Sequence, residues 1–481
     1  MKHTMHDSMN TIMQTKQYKT SMLNLFKNRT NWFVTESHAV LRKTVFFMLI
    51  MLSILAFSCN PEIPLIDESS DTDLTIDEMA DEDLLSVNEE TREEDVSGDG
   101  TSDVDGTSDV DGTSDVDETS DVDETSDVIQ DGIKISSISL GNYHSFYLGS
   151  NDTGGKDFWG WGENTYGQLG NNSVNTPTAP IQVDSSPDWK SVTTGWRSAM
   201  IIKNDGALWG WGNNTYGQLG LGTVANQTTP QLISNEPWIE VSIHGHTLGI
   251  KGDNTLWVWG KNGNGELGLG NNINKTTPQQ VGSDTWTTIS AGYTFSLGIK
   301  SDGTLWSWGY NSSGQLGQGH IIALNTPTQI GSDTWSAISA GHSHSLAIKS
   351  DGTLWSWGKN SKGQLGLDHT INQSNPQRVS DESWKSIAAA RENSIAIKSD
   401  ETLWSWGINV LGELGLGHNV EQHIPQQIGS GTWKDIASGY YHSIGIKNDD
   451  TLWSWGRNGK GEVGDGTTTN RNAPVEVSLT P

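Results

Sequence analysis

A phrase built on two tryptophans and several glycines recurs through the last two thirds of the chain. It reads DGTLWSWGKNSKGQLGLD at residues 351–368, and close copies begin at 302, 400 and 449. The second tryptophan of the phrase falls at Trp161, Trp211, Trp259, Trp308, Trp357, Trp406 and Trp455, which are 48 to 50 residues apart. A fixed period of this length indicates a repeat architecture in which each unit is one supersecondary element.

Each repeat unit predicts four short β-strands and no helix. Segments such as SAISA, HSLAIK and TLWSW are short, apolar or β-branched, and are bounded by Gly, Asn and Asp. The SDG before TLW predicts a hairpin turn, since Asp-Gly readily adopts positive φ. A proline that opens the last segment, as in NTPTQIG, is compatible with an edge strand.

Seven such units predict an all-β fold, a seven-bladed β-propeller over residues 133–481. Twenty of the 22 tryptophans occupy repeat positions, so their role is architectural. We expect Trp355 and Trp357 to lie on one face of their strand and to pack between blades, while the GQLG glycines permit a close approach of the backbone.

Ring closure can also be predicted. The first unit begins with ISSIS, where Ile135 replaces the usual tryptophan, and the last unit ends in PVEVS. We expect Pro474–Ser478 to pair into the blade that begins with residues 133–149.

The repeat resembles the RCC1 (regulator of chromosome condensation) repeat, whose consensus reads much like AGxxHSLALxxDGxLWSWGxNxxGQLGLG. The resemblance covers all seven units and implies the propeller fold. The family includes a eukaryotic nucleotide-exchange factor for the GTPase Ran, which also binds nucleosomes, and secreted bacterial members, among them a proteinaceous β-lactamase inhibitor. The uniform unit length here leaves no room for the inserted hairpin that the exchange factor uses.

The N-terminal region indicates export. Arg42 and Lys43 precede an apolar run that ends at Cys59, the single cysteine. Its length is that of a signal-peptide core, and LAFSC at 55–59 resembles a bacterial lipoprotein signal, with Cys59 as the lipidated residue. Segment 42–59 is thus predicted to be a signal, with an uncleaved anchor as the alternative. Residues 1–41 form an N-terminal extension that fits neither reading and indicates a mis-assigned start codon.

Residues 60–132 predict a disordered acidic linker. They hold 28 of the 58 acidic residues and one basic residue, Arg92, so most of the net charge of −29 lies here. Five copies of a TSDVD-type hexad offer little apolar surface, and like charges repel. The hexad lacks the ligand spacing of an EF-hand loop, so a solvated spacer is expected and weak cation binding stays open. No Lys/Arg-rich stripe indicates nucleic acid as a partner.

Histidine is the residue of the repeat that most suggests a metal-binding or catalytic role. The position before the conserved serine holds His144, Ser198, His246, Phe295, His344, Asn393 and His442. These residues lie in different blades and cannot share one metal ion, so we expect each histidine to hydrogen-bond a turn of its own blade. No catalytic motif, cofactor site or metal site is predicted.

The residues that vary between units are better candidates for function, because packing already explains the shared ones. We call the two residues ahead of the histidine position the variable pairs. By symmetry they should form a ring at one end of the central channel. The anchors that we predict are of types enriched in binding hot spots, and they are Trp196, Arg197, Tyr293, Arg391, Tyr440 and Tyr441.

Three functions follow from these features. The first is a surface-tethered module, held in the membrane by a lipid anchor, that binds a protein or peptide and needs no cofactor. The second is a guanine-nucleotide exchange factor for a small GTPase. The third is an envelope enzyme with a site at the channel mouth, since propellers can assemble sites from several blades.

The first prediction concerns the lipoprotein signal. In a bacterial host the mature protein should begin at Cys59 and carry lipid, and globomycin should block its processing. Intact mass and N-terminal sequencing measure both. A mature N-terminus upstream of residue 40, or processing that a Cys59→Ser variant leaves unchanged, would contradict the prediction.

Overall fold

The computed structural model describes residues 134–150, 156–184 and 188–479. The predicted extension 1–41, signal 42–59 with Cys59, and linker 60–132 lie outside the described residues. Everything described is strand, turn or loop, and each repeat unit forms one four-stranded antiparallel blade.

The strands follow the repeat closely. Blade 1 consists of β1 (Lys134–Leu140), β2 (His144–Ser150), β3 (Lys156–Gly162) and β4 (Ile181–Asp184). Blade 2 consists of β5 (Trp189–Thr194), β6 (Ser198–Lys203), β7 (Leu208–Gly212) and β8 (Gln227–Ser234). Blade 3 begins with β9 (Trp238–Ile243), β10 (His246–Lys251) and β11 (Thr255–Gly260).

In the later blades one long strand serves two sheets, since the outer strand of one blade continues as the inner strand of the next. The long strands are β12 (Lys275–Ala291), β15 (Leu324–Ala340), β18 (Gln373–Ala389) and β21 (Gln422–Ser438). Between them lie β13 (Phe295–Lys300), β14 (Thr304–Gly309), β16 (His344–Lys349), β17 (Thr353–Gly358), β19 (Asn393–Lys398) and β20 (Thr402–Gly407). Blade 7 ends with β22 (His442–Lys447), β23 (Leu452–Gly456) and β24 (Arg471–Glu476).

A β-bulge explains the W-x-x-I pattern of the inner strand. Residues three apart would point to opposite faces of a regular strand, because side chains alternate. The register shifts between Trp335 and Ala337, and an extra residue at such a bulge reverses the alternation. Trp335 and Ile338 therefore pack into the same apolar cluster.

The second tryptophan of each phrase is fully buried between blades. The indole Nε1 of Trp357 donates to the carbonyl of Gln315 in the preceding blade at 2.8 Å. Equivalent bonds of 2.7 to 3.1 Å join every neighbouring pair of blades and are donated by Trp161, Trp211, Trp259, Trp308, Trp406 and Trp455. The predicted packing of Trp357 between blades is confirmed.

The first tryptophan is half-buried under a lysine. Trp355 packs in the same cluster as Trp357, and the Nζ of Lys349 lies 3.7 Å from its ring centroid. The carboxylate of Asp333 holds that lysine at 2.8 Å.

The packing of the buried second tryptophan requires a glycine in the GQLG segment of the preceding blade. Gly366 has a φ of +72°, and a Cβ there would lie 2.9 Å from Nε1 of Trp406. Both the backbone conformation and the space therefore favour glycine.

The predicted closure of the ring is wrong in its pairing. The C-terminal strand β24 pairs with β23 of its own blade, with Glu476 opposite Trp453. A sequence unit coincides with a blade, so no strand is left over to cross the junction. Blades 7 and 1 instead close through side chains, and Val477 and Leu479 pack against Ile135 and Trp161.

Histidines also link the blades. The Nε2 of His344 lies 3.0 Å from Oγ of Ser394 in the next blade, and that hydroxyl donates to the carbonyl of Gln364 at 2.8 Å. The same contact joins His246 to Ser296 and His442 to Ser145. For these three histidines the expectation of a bond to a turn of their own blade is therefore wrong, because the adjacent blade brings a hydroxyl closer; neither ring nitrogen of His144 forms such a bond among the described residues.

The second prediction concerns the closure of the ring through side chains. Removing residues 477–481 should lower the free energy of unfolding by about 2 to 5 kcal/mol for each buried aliphatic side chain lost, since Val477 and Leu479 are 0% and 3% exposed. Thermal unfolding measures the loss. Asn472→Ala, an exposed position on β24, is the control, and an unchanged melting temperature in the truncated protein would contradict the packing.

The third prediction concerns the buried histidines and the dependence of stability on pH. Burial lowers the pKa of His246 and His442 to about 3 and that of His344 to about 4. As pH falls below the ordinary value of 6.5, the unfolded state takes up protons first, so the stability that these groups confer is lost from pH 6.5 downwards.

Replacing all three histidines by Asn, the residue that blade 6 uses at Asn393, should therefore flatten the dependence of stability on pH. Wild type should lose about 1 kcal/mol more per histidine than the variant between pH 7 and 5.5. Denaturant titrations at both pH values measure this difference. Parallel curves for the two proteins would contradict the histidine assignment.

Candidate functional site

The variable pairs lie between the first and second strands of each blade, all at one end of the ring. The third strand ends beside them, because the amide of Lys359 donates to the carbonyl of Ser343 at 2.8 Å, and the other blades repeat this bond. The residue that follows WSWG therefore lies next to a variable pair. The long loops from third to fourth strands begin at the same end.

A cavity of about 130 Å³, which we call the mouth cavity, opens at this end of the channel. Its wall combines small residues of the inner strands, such as Ala340 and Ala389, with first members of the variable pairs. The pair residues that line it are Asn142, His244, His342, Arg391 and Tyr440. Arg391 and Tyr440, two of the predicted anchors, thus line this cavity.

Aromatic rings run along one side of the mouth cavity. Tyr293 stacks on His342 with centroids 4.1 Å apart, and His244 meets Tyr293 edge to face at 5.2 Å. His342 in turn contacts Tyr440 at 5.9 Å. Side chains of four blades thus form one aromatic surface, with each ring held in place by its neighbours.

A second group joins blades 6, 7 and 1. The guanidinium of Arg391 lies 4.8 Å from the ring centroids of both Tyr440 and Tyr441, and its Nη1 donates to the hydroxyl of Tyr441. Tyr143 stacks on Tyr441 at 6.2 Å, and Arg457 lies 4.8 Å from the Tyr143 ring. Tyr441 is only 4% exposed, so it positions Arg391 and offers little surface itself.

Blade 2 has its own small cluster. Arg197 lies between Tyr166 and Trp196, 4.7 and 5.2 Å from their ring centroids. Its Nε pairs with Glu163 of blade 1 at 3.3 Å. The two predicted anchors Trp196 and Arg197 are therefore in contact with each other.

The six predicted anchors fall into three groups around one rim. Arg391, Tyr440 and Tyr441 touch one another, and Trp196 and Arg197 form the blade 2 cluster. Tyr293 is linked to Tyr440 through His342.

The sequence reasoning missed the cations after WSWG. Lys261 lies 5.2 Å from the ring of Tyr216 and 5.8 Å from that of Tyr293, and Lys359 pairs with Glu392 at 2.5 Å. A signal was available, because this position varies between units as strongly as the pairs do. It holds Glu163, Asn213, Lys261, Tyr310, Lys359, Ile408 and Arg457.

The two mouth histidines are neutral at physiological pH. Burial lowers the pKa of His244 to about 3, with a further contribution from His342 and Lys261. Burial, then Arg391 and Lys359, lower the pKa of His342 to about 3. Both imidazoles therefore act as aromatic surface and as neutral hydrogen-bonding groups.

The arrangement is suited to recognition by stacking, cation–π contacts and hydrogen bonds. In the part of the chain that the structure describes, no group of three or more His, Cys, Asp or Glu is placed to hold a metal ion. Within the same ranges, no helix has the length and apolar character to cross a membrane.

Comparison with known proteins identifies the repeat. The RCC1-like domain model matches residues 239–481, about half of the chain, and two models of the regulator of chromosome condensation repeat match within residues 135–248. A search of curated protein sequences finds no significant match.

Solved structures show the same fold. Prp20p from Saccharomyces cerevisiae, in a study of its binding to Gsp1p and histones, is 19% identical, with a TM-score of 0.61 over 72% of this chain and 88% of that one. Yeast RCC1 (Prp20) bound to Kap60 is 20% identical, with a TM-score of 0.60 over 66% and 83%. At these identities the likeness concerns the fold alone. The domain match over half of the chain places the protein in the RCC1-like domain family.

Proposed function

We propose that this protein is a tethered binding module, in which the mouth end of the propeller recognises a protein or peptide. The observation that carries the proposal is the rim of aromatic and cationic side chains around the mouth cavity of about 130 Å³. Tyr, Trp and Arg are the residue types that most often dominate binding energy. Here they cluster where the repeat varies, whereas packing accounts for the repeated positions.

Apolar loop tips at the same end support a protein partner. They belong to the long loops between third and fourth strands and are more than half exposed in six of the seven blades. A single exposed aliphatic residue needs no explanation, but recurrence at one loop position does. The tips are Val174, Val224, Ile273, Ile321, Ile322, Ile371 and Val420.

The N-terminal sequence supports the membrane tether in this proposal. Lipidation at Cys59 would hold the chain in a bacterial membrane, and the acidic segment 60–132 would separate the propeller from it. Even an ideal flexible chain of this length would span roughly 50 Å. The structures of yeast Prp20 were determined in studies of protein partners, Kap60 in one, Gsp1p and histones in the other, which accords with a binding role that needs no catalysis.

The fourth prediction tests the rim. A full-length variant with Trp196, Arg197, Tyr293, Arg391 and Tyr440 replaced by alanine, and Tyr441 by phenylalanine to spare its packing, should lose partner binding by at least about 10-fold. The measurement is chemical crosslinking to the propeller on intact cells, followed by affinity measurement with the purified partner.

The control carries Asp302, Asp351 and Asp400 replaced by asparagine. These residues lie in hairpins at the opposite end, and asparagine can keep the side-chain bonds that the aspartates make to the next Thr amide. Equal recovery of the partner by the rim variant and wild type, with unchanged folding, would overturn the proposal.

A further inference from the structure

Two cations at the mouth form no direct ion pair with a carboxylate of the described residues. Of the basic residues around the rim, Arg197, Lys359 and Arg457 form ion pairs with Glu163, Glu392 and Glu462. Arg391 and Lys261 form none among the described residues; each lies against tyrosine rings instead. Both flank a histidine that lines the mouth cavity.

Arg391 is held ready for a ligand. Two tyrosine rings, both 4.8 Å away, contact its guanidinium, and Tyr441 accepts one of its five N–H groups. The other N–H groups have no hydrogen-bond partner among the described residues. A planar guanidinium fixed by stacking presents a fork of donors that fits a carboxylate, and little side-chain entropy remains to be lost on binding.

Cations and carboxylates both act at the mouth, because buried Glu413 interacts with Arg391 and buried Glu266 interacts with Lys261. Arg391 and Lys359 contribute to the low pKa of His342, and Lys261 contributes to that of His244. The one carboxylate of the variable pairs, Glu392, is neutralised by Lys359 at 2.5 Å. The preference for a carboxylate therefore rests on the guanidinium of Arg391, which the tyrosine rings hold in place and which has N–H groups left to donate.

The mouth cavity is shaped for a narrow ligand. Its wall contains Gly141, Gly341, Ala340 and Ala390, which leave room for side chains and an extended backbone but not for a folded domain. Tyrosine and histidine rings at the edge provide apolar surface for the peptide itself.

We propose that the mouth cavity receives an acidic, extended segment of the partner, with Arg391 as the principal carboxylate anchor and Lys261 as a second. This inference rests on the proposed function and specifies the chemistry of the partner. A strand of nucleic acid is disfavoured, because that class of ligand calls for a continuous basic track, and here three of the five rim cations are already paired.

The acidic segment of this chain is the competing occupant in cis. Its C-terminal end joins β1 at Lys134, which lies opposite Ser150 at the end of the blade remote from the variable pairs. The seven residues of β1 lead from there to the mouth, a rise of about 23 Å. We assign the site to a partner in trans, and the hexad variant described below tests the chain's own segment as the occupant.

The fifth prediction uses the full-length protein and a short fluorescein-labelled Glu–Ser–Gly peptide, with the Gln–Ser–Gly peptide as its neutral match. Fluorescence anisotropy at low salt should show binding of the acidic peptide only. Arg391→Ala should weaken it by about 10-fold or more, and Arg391→Lys by less, because the ammonium keeps the charge but loses the fork. Lys261→Met should weaken it by a few fold.

Arg378→Ala is the matched control, since it also removes one positive charge. Arg378 lies on β18, pairs with Asp381 and is remote from the mouth cavity. Unchanged affinity is expected for this variant. Melting temperatures of all variants exclude misfolding as the cause of a loss.

Three outcomes would overturn the inference. They are equal binding of the neutral peptide, equal losses in Arg378→Ala and Arg391→Ala, and binding of a single-stranded oligonucleotide at least as tight as that of the acidic peptide. A full-length variant with asparagine for aspartate in the hexads tests the cis occupant. Tighter peptide binding by that variant would place the chain's own segment in the mouth.

Failure here is distinguishable from failure of the proposed function. If the acidic peptide does not bind but the rim variant still loses the crosslinked partner, the rim is a binding site of different chemistry. If the rim variant keeps the partner, the function itself is wrong.

Discussion

The fold depends on one interaction, a hydrogen bond from a buried indole to a carbonyl of the preceding blade. Trp406 donates to the carbonyl of Gln364 at 2.9 Å, and the hydroxyl of Ser394 donates to the same oxygen at 2.8 Å. An unpaired carbonyl or indole N–H in this buried interface would be costly. The bond therefore fixes the register of neighbouring blades, while the indole supplies the apolar contact area.

The same constraint explains why the functional surface varies freely. The bonds between blades use the tryptophan, the GQLG backbone and the serine, all of which lie below the mouth end. The backbone of the variable pairs and of the residue after WSWG is positioned by hydrogen bonds that do not depend on side-chain type, such as that from Lys359 to Ser343. Their side chains can therefore change from blade to blade without loss of the ring, and a surface with distinct sectors results.

Much of the fold could be predicted because its determinants are local. The period of the tryptophans, the Asp-Gly hairpins and the proline before the outer strand are all visible in one unit. The closure was predicted wrongly because sequence shows only that the first unit lacks a tryptophan at Ile135. Whether a strand or side chains cross the junction depends on where a unit begins relative to a blade, and the structure shows that the two coincide.

The sequence by itself determined seven equivalent blades and the positions at which they differ, because packing demands the same residues in every interface. Only the tertiary structure decided which of the differing residues meet. It placed Arg391 between two tyrosines and brought Lys261 beside Tyr293 of the next blade. It also turned His344 toward a serine 50 residues away. The physical reason is that contacts between blades join residues one repeat apart, and their geometry exists only once the ring has closed.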